Sequence, residues 1–304
     1  MRKLTALCCF GVALATALAA LKTGPPMPYR AVADWAKLPS GWSFGPCSTV
    51  TVDKQDHVWI FSRSAHPVSE FDRGGKLLRS WGDGTIKQAH GIRIDPEGNV
   101  WGVDVDGQVV RKYTPDGHLL MTVGQEGKTG DNDSRVAFNR PTNVAFAPNG
   151  DFYVSDGYVN ARVVHFSSDG KYLGQWGRKG TGDGEFDLVH DIVLDKRNHL
   201  LVAERTNQRI QIFDLAGKLL GKWTDIGSPW SLAYIAREDA VYMADGVNMR
   251  VVKLDRNGDV AGVLGGPGKA PGEFDLPHGI AVDTTGAIYV AEVGNQRVQK
   301  FVRQ

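Results

Sequence analysis

The sequence predicts an all-β fold, a six-bladed β-propeller, from three observations. Similar segments recur six times at intervals of about 40–50 residues, the range typical of propeller blades. Each segment contains an alternating apolar stretch, a turn and a second apolar stretch, as expected of paired strands. The last segment is one strand short, and a stretch near the N-terminus supplies a candidate for it. The 304 residues are 42% hydrophobic, which is sufficient for one large all-β domain.

The first twenty residues differ in kind from the rest. Two basic residues precede an apolar run without charge from position 4 to position 20, and Ala17 and Ala19 suit a signal-peptidase site. We therefore predict a cleaved signal peptide over residues 1–20 and a secreted or periplasmic protein. An uncleaved anchor is the alternative, since the run approaches the length that spans a bilayer. After cleavage Cys47 is the only remaining cysteine, so no intramolecular disulfide is expected.

The repeats define the blades. Three copies align without gaps: AHGIRIDPEGNVWGVDV, PTNVAFAPNGDFYVSDG and PHGIAVDTTGAIYVAEV. In chain order the six copies begin at Cys47, Ala89, Pro141, Val189, Pro229 and Pro277. We assign residues 21–39 to a linker and closing strand, and residues 40–304 to the propeller. Residues 30–38 are expected to pair with the last copy and close the ring, which leaves no exposed sheet edge there.

One recurring motif has a structural interpretation. Asn-Xaa-Arg opens the third strand in four copies, and an acidic residue precedes each arginine. The pairs are Asp156 and Arg162, Glu204 and Arg209, Asp245 and Arg250, and Glu292 and Arg297. A feature repeated in most blades is expected to stabilise blade geometry through turn-forming Asn and an Arg–carboxylate pair.

Function is expected where the copies differ, and one position near the start of the first strand differs most clearly. In blade order this position holds Ser48, His90, Thr142, His190, Trp230 and His278. Histidine therefore occupies alternate blades of a six-fold ring. Because the first strand of each blade lines the central channel, the three imidazoles should converge near the axis.

Three converging imidazoles suit a catalytic zinc ion, which takes three protein ligands and keeps a fourth position open for water or substrate. The sequence contains only 8 histidines, so chance occupation of all three equivalent positions is improbable. The alternative is three structural histidines bonded to backbone carbonyls. We predict zinc ligands at His90, His190 and His278.

A second asymmetry lies at the end of the second strand. Blades 1 and 4 carry Arg63 and Arg205 there, whereas the other blades carry Gly or Val. Two guanidiniums at equivalent positions suggest a bound carboxylate, with ordinary surface arginines as the alternative. Tyr158 follows Gly157 in blade 3. Near a metal and cationic side chains we expect it to have a lowered pKa and to act as a base.

The overall charge limits the partners. Lys and Arg total 35 against 34 Asp and Glu, a formal net charge of +1. A nucleic-acid partner is not expected, because such partners usually require a basic face. We expect a monomer without stable membrane insertion, acting on a small molecule or peptide with a terminal carboxylate.

The residues singled out above resemble those of the peptidyl-α-hydroxyglycine α-amidating lyase (peptidylamidoglycolate lyase) family, six-bladed propellers of the NHL-repeat class. The resemblance covers about residues 40–302. It is carried by VWIFSR ending at Arg63, AHGI at His90, SDGYVNARVV around Tyr158, VHDIVL at His190, AERTNQRIQ around Arg205, and LPHGIAV at His278. It implies zinc on the three histidines, Tyr158 as base, and Arg63 and Arg205 beside the substrate carboxylate. The implied reaction cleaves a peptidyl-α-hydroxyglycine to a peptide amide and glyoxylate.

The resemblance also implies a structural calcium ion on the backbone carbonyls of Val50 and Ile92 and on a carboxylate after the third histidine. That last position is Gly279 in this chain. Two other functions stay open at the level of sequence. One is a non-catalytic propeller that binds a protein or glycan, and the other is a metal-dependent lactonase or esterase.

Overall fold

The computed structural model describes residues 21–304, which form six four-stranded antiparallel sheets. The predicted six-bladed propeller is confirmed. Blade 1 comprises β2 (Cys47–Val52), β3 (Val58–Ser62), β4 (Val68–Phe71) and β5 (Leu77–Trp81). Blade 2 comprises β6 (Ala89–Ile94), β7 (Val100–Asp104), β8 (Val109–Tyr113) and β9 (Leu119–Gly124). Blade 3 comprises β10 (Pro141–Phe146), β11 (Phe152–Asp156), β12 (Arg162–Phe166) and β13 (Tyr172–Trp176).

The second half of the ring repeats this order. Blade 4 comprises β14 (Val189–Leu194), β15 (Leu200–Glu204), β16 (Arg209–Phe213) and β17 (Leu219–Trp223). Blade 5 comprises β18 (Pro229–Ile235), β19 (Ala240–Asp245), β20 (Arg250–Leu254) and β21 (Val260–Leu264). Blade 6 comprises β22 (Pro277–Val282), β23 (Ile288–Glu292), β24 (Arg297–Arg303) and the N-terminal β1 (Tyr29–Val32).

The core lies between neighbouring blades. One hydrophobic cluster, for example, joins Tyr153 of blade 3 to Ile192 and Val202 of blade 4. In blade 2, for example, the first and second strands are largely buried, whereas the fourth strand is the most exposed. The first strands line the axis, where His90, His190 and His278 from three of them meet.

The ring is closed by the N-terminal strand. In β1, Tyr29 pairs with Arg303 and Val32 pairs with Lys300 of β24. The strand is shorter than the expected residues 30–38, because Asp34 has a left-handed backbone (φ 46°) and turns the chain inward. Trp35 is then buried, and its Nε1 donates to the carbonyl of Arg73 at 3.0 Å.

The Asn-Xaa-Arg motifs stabilise the blades in two ways. The four arginines pair with their acidic partners at 2.9, 2.6, 2.9 and 2.7 Å. All four also donate to carbonyls of the preceding inter-blade loop, as Arg209 does to Thr181, Gly182 and Glu185 and Arg250 does to Ile226. Each arginine thus connects a blade to the loop that enters it, which supports a structural role for the motif.

The remaining expectations concern the signal peptide, membrane-spanning segments and the cysteine. The predicted signal peptide lies outside the described residues. In residues 21–304 there is no helix long and apolar enough to cross a membrane. Cys47 is buried and free of any disulfide.

Candidate metal centre

Three inner strands bring His90, His190 and His278 together at the axis. One ring nitrogen of each lies within 4.8 Å of the others, and the ring centroids are 4.8, 5.0 and 4.7 Å apart. All three side chains are buried. The predicted convergence is therefore present in the structure.

A β-bulge directs these side chains towards the axis. In each blade the register of the first two strands shifts at the position that carries histidine in alternate blades, as between Val189 and Asp191 around His190. The other five blades show the same shift at the equivalent position. A bulge leaves a residue out of the ladder and re-aims its side chain. The propeller thus offers six such positions, of which this chain fills three with imidazole.

The remaining three positions hold the imidazoles in place. Nδ1 of His90 bonds to the carbonyl of Thr142 at 2.7 Å, Nδ1 of His190 to that of Trp230 at 2.5 Å, and Nδ1 of His278 to that of Ser48 at 2.6 Å. Each partner is the bulge residue of the next blade. Because a carbonyl only accepts, each Nδ1 must carry the hydrogen, and each Nε2 keeps a free lone pair. This is the arrangement by which proteins orient metal-binding histidines.

The surroundings keep the imidazoles neutral. Burial lowers the pKa of His90 to about 3, with the backbone bond to Thr142 opposing the shift and nearby arginines adding to it. Burial, followed by the neighbouring histidines, lowers the pKa of His190 and His278 well below the ordinary value. A neutral imidazole is the form that binds a metal ion.

Tyr158 joins this cluster from the loop after β11. Its hydroxyl lies 3.0 Å from Nε2 of His90 and 3.2 Å from Nε2 of His190. The protein groups alone do not produce the lowered pKa that is expected beside a metal ion. Burial instead raises the pKa of Tyr158, and the guanidiniums of Arg205, Arg63 and Arg140 oppose that shift without reversing it.

Arg205 lies over the face of an indole. Its guanidinium carbon is 3.6 Å from the ring centroid of Trp230, and that ring also contacts His278 edge-on at 5.4 Å. Gly246 makes room for the indole, since a Cβ there would lie 2.3 Å from the Trp230 ring. The absence of a side chain directly after the second strand of blade 5 is therefore required by the position of the indole. Trp230 thus contacts both Arg205 and His278.

The other predicted arginine and one unpredicted arginine face the same mouth. Arg63 is half-buried and its Nε donates to the carbonyl of Ala89, next to His90, at 3.2 Å. Arg140 lies 5.5 Å from the centre of the Tyr158 ring and pairs with Asp106 at 3.1 Å. The Nε of Arg140 is buried without a hydrogen-bond partner. Three guanidiniums and one carboxylate thus surround the entrance to the histidines.

Arg140 was missed because it lies just before the first strand, where no other feature distinguished it. Its backbone is left-handed (φ 63°), as are Leu188 and Leu276 at the equivalent positions of blades 4 and 6. In blade order this position holds Pro46, Gln88, Arg140, Leu188, Ser228 and Leu276, so Arg140 is its one charged residue.

The expected calcium position does not fit this chain. A Cβ on Gly279 would lie 2.6 Å from the backbone of Thr49, so no carboxylate can stand there without moving blade 1. The Val50 and Ile92 residues are buried in their strands, but the third part of the ligand set is missing.

A second group of potential ligands has a structural explanation. Asp53, His57 and Glu70 lie close together on blade 1. Asp53 accepts from the backbone of residues 55 and 57 and from the Trp59 indole, and Glu70 pairs with His57 and Arg79. These carboxylates are already occupied by protein donors.

Comparisons with known proteins agree with the fold. A model described as an NHL repeat matches residues 274–301, and one described as a six-bladed β-propeller matches residues 132–232. Human NHL repeat-containing protein 3 is 31% identical over 90% of this chain and 84% of its own length. The chain belongs to the NHL repeat-containing protein family.

This NHL-repeat propeller is also homologous to amidating lyases. Peptidyl-alpha-hydroxyglycine alpha-amidating lyase 1 of Drosophila melanogaster is 32% identical over 76% of this chain and 47% of its own length. Mouse peptidyl-glycine alpha-amidating monooxygenase is 32% identical over 84% of this chain, which spans 30% of that protein. A solved streptogramin B lyase superposes with a TM-score of 0.65 at 15% identity, covering 91% of this chain and 97% of that one. The last likeness shows the fold alone.

Proposed function

We propose that this protein is a zinc-dependent lyase that cleaves peptidyl-α-hydroxyglycine or a similar carbinolamide to an amide and glyoxylate. The observation that carries the proposal is the convergence of three imidazoles at the axis. In each of them Nδ1 is bonded to a backbone carbonyl, which leaves Nε2 as the ligand atom. The names of the homologous lyases support the choice of reaction.

The three imidazoles would hold the zinc ion. The alternative of purely structural histidines accounts for the Nδ1 bonds but not for three Nε2 atoms aimed at one point. A zinc ion held there supplies a Lewis acid that lowers the pKa of a hydroxyl group and favours a nearby phenolate. Zinc suits this donor set better than calcium, which prefers oxygen ligands.

The arginines would bind the substrate carboxylate. Arg63 of blade 1 donates to the carbonyl of Ala89 beside His90, and Arg205 of blade 4 lies over the Trp230 indole, which contacts His278. Arg140, over the Tyr158 ring, adds a third positive charge. Trp230 fixes the plane of the Arg205 guanidinium, which favours a two-point contact with a planar carboxylate. The side chains thus orient a substrate that ends in an anion.

Tyr158 would carry the proton. Its hydroxyl stands beside two of the Nε2 atoms, and three guanidiniums counter the effect of burial on its pKa. We propose that it removes the proton of the substrate hydroxyl as the C=O bond of glyoxylate forms and the C–N bond breaks. The proton then passes to the leaving amide nitrogen, so the reaction needs no co-reactant. Export through the predicted signal peptide and a monomeric state belong to the same proposal.

The direct test is glyoxylate release. The purified, zinc-loaded protein is incubated with a synthetic peptide ending in α-hydroxyglycine, and the triple variant His90→Ala, His190→Ala, His278→Ala is the control. We expect release by the wild type alone. If the wild type releases glyoxylate no faster than the uncatalysed reaction, the lyase proposal fails.

A second measurement tests the arginines. When the substrate carboxylate is replaced by a neutral amide, kcat/KM should fall further for the wild type than for Arg63→Ala or Arg205→Ala. Equal losses in all three proteins would remove the carboxylate from the proposal. A non-catalytic binding propeller, as the name of NHL repeat-containing protein 3 leaves open, would show neither effect.

A further inference from the structure

An ion pair between Arg93 and Asp191 crosses the channel close to the histidines. Asp191 directly follows His190 in β14, and Arg93 lies in β6 of blade 2. Nη2 of Arg93 lies 2.8 and 3.0 Å from the two carboxylate oxygens of Asp191. The side chain of Asp191 is 1% exposed and that of Arg93 14%. A buried pair of this kind persists only when other hydrogen bonds satisfy it.

The carboxylate is fully supplied with donors. Asp191 accepts from the Nδ2 of Asn143 at 2.6 Å, from the backbone of Leu232 at 2.8 Å and from the backbone of Ile192 at 2.7 Å. Asn143 belongs to blade 3 and Leu232 to blade 5, while Arg93 belongs to blade 2. Four consecutive blades therefore meet on one carboxylate.

The guanidinium is surrounded by oxygen atoms. Besides Asp191, it lies 3.3 Å from the carbonyl of Leu232 and 3.4 Å from the carbonyl of Ile92. A carboxylate with backbone carbonyls is the environment that calcium takes in proteins. Here the positive charge belongs to a side chain.

We propose that the Arg93 guanidinium replaces a structural calcium ion and that this propeller holds its axis together without one. The position after the third histidine cannot carry a carboxylate, because a Cβ on Gly279 would meet the backbone of Thr49. The only carboxylate directly after an axial histidine in this chain is Asp191, and its charge is already balanced by Arg93. Removal of the guanidinium should leave a buried carboxylate and free carbonyls, a latent site for a divalent cation.

Thermal unfolding with calcium or with the calcium chelator EGTA tests the proposal. The Tm of the wild type should be the same in both, and elemental analysis should find no calcium. Arg93→Ala should lower Tm by about 6–20 °C, because removing one partner of a buried ion pair is strongly destabilising. Millimolar calcium should then restore part of the loss.

Two controls identify the site. The double variant Arg93→Ala, Asp191→Asn should not respond to calcium, since the carboxylate is gone. Arg256→Ala removes an exposed arginine and should change neither Tm nor its calcium response. These measurements use stability and calcium content, so they are independent of lyase activity.

Several outcomes would overturn the proposal. Stoichiometric calcium in the wild type, or a lower Tm in EGTA at unchanged zinc content, would show that calcium is needed after all. An Arg93→Ala variant that ignores calcium would show that no cation site is uncovered. If Arg93→Ala cannot be obtained folded, the calcium content and EGTA response of the wild type decide.

Discussion

Gly246→Ala is a test of how the Trp230 indole positions Arg205. The added Cβ would lie 2.3 Å from Cδ2 and 2.5 Å from Cε2 of Trp230, both below any ordinary contact. The indole must move, because the atoms it meets are part of a rigid ring. Its present place is fixed by the stacked Arg205 guanidinium and by the Nε1 bond to Ser228 Oγ at 3.1 Å.

The magnitude follows from two losses. Overpacking a well-packed site costs about 1–3 kcal/mol in the free energy of unfolding. Loss of the cation–π contact between Arg205 and Trp230 adds about 0.5–2 kcal/mol. At roughly 2–4 °C per kcal/mol, Tm should fall by about 3–20 °C. Zinc content should be unchanged, because His190 is held by the backbone carbonyl of Trp230 and not by its ring.

Differential scanning fluorimetry measures the Tm, and KM for a carboxylate-terminated substrate measures the function. Gly174→Ala is the matched control, since it lies in an outer strand and a Cβ there meets nothing within 4 Å. We expect Gly174→Ala to resemble the wild type. If Gly246→Ala also does so, in both Tm and KM, the indole does not hold Arg205 and the reasoning is wrong.

Three other predictions follow from the site and the ring. Each single His→Ala variant at positions 90, 190 and 278 should stay folded and lose zinc, as measured by elemental analysis; stoichiometric zinc in the triple alanine variant would contradict the ligand assignment. Tyr158→Phe should lower kcat by about 10²–10⁴-fold at unchanged zinc content, and an unchanged kcat would remove Tyr158 from proton transfer. Deletion of residues 21–32 should expose the edge of β24 and remove the buried Met27 and Tyr29, so Tm should fall markedly or the protein should aggregate; an undiminished Tm would show that β1 is not needed for closure.

The repeat made the blades and the histidine cluster predictable. Copies of one blade must place equivalent residues at equivalent radii, so His90, His190 and His278 could be placed at the axis from alignment alone. The closing strand was less predictable, because the turn at Asp34 and the burial of Trp35 depend on packing against blade 1, which a local pattern does not record.

The electrostatic surroundings of the site could not be predicted from an alignment of the repeats. The pKa of Tyr158 depends on the balance between burial and three guanidiniums, and the sequence showed the charges but not the depth of burial. Arg93 and Asp191 lie 98 positions apart and meet only across the channel. Neither residue belongs to a recurring motif, because each occurs at its position in only one of the six copies.

The alternation around the axis gives the six positions two different roles. A histidine side chain requires a free carbonyl on one neighbour, and the bulge residue of the next blade provides it from the backbone, whatever its side chain. Ser48, Thr142 and Trp230 therefore serve this purpose with three different side chains. If all six positions were histidine, the three residues whose carbonyls orient the imidazoles would add three more imidazoles to the same narrow channel. A six-fold repeat thus supports a three-ligand centre because only alternate blades carry the ligand, and the blades between them supply its orientation.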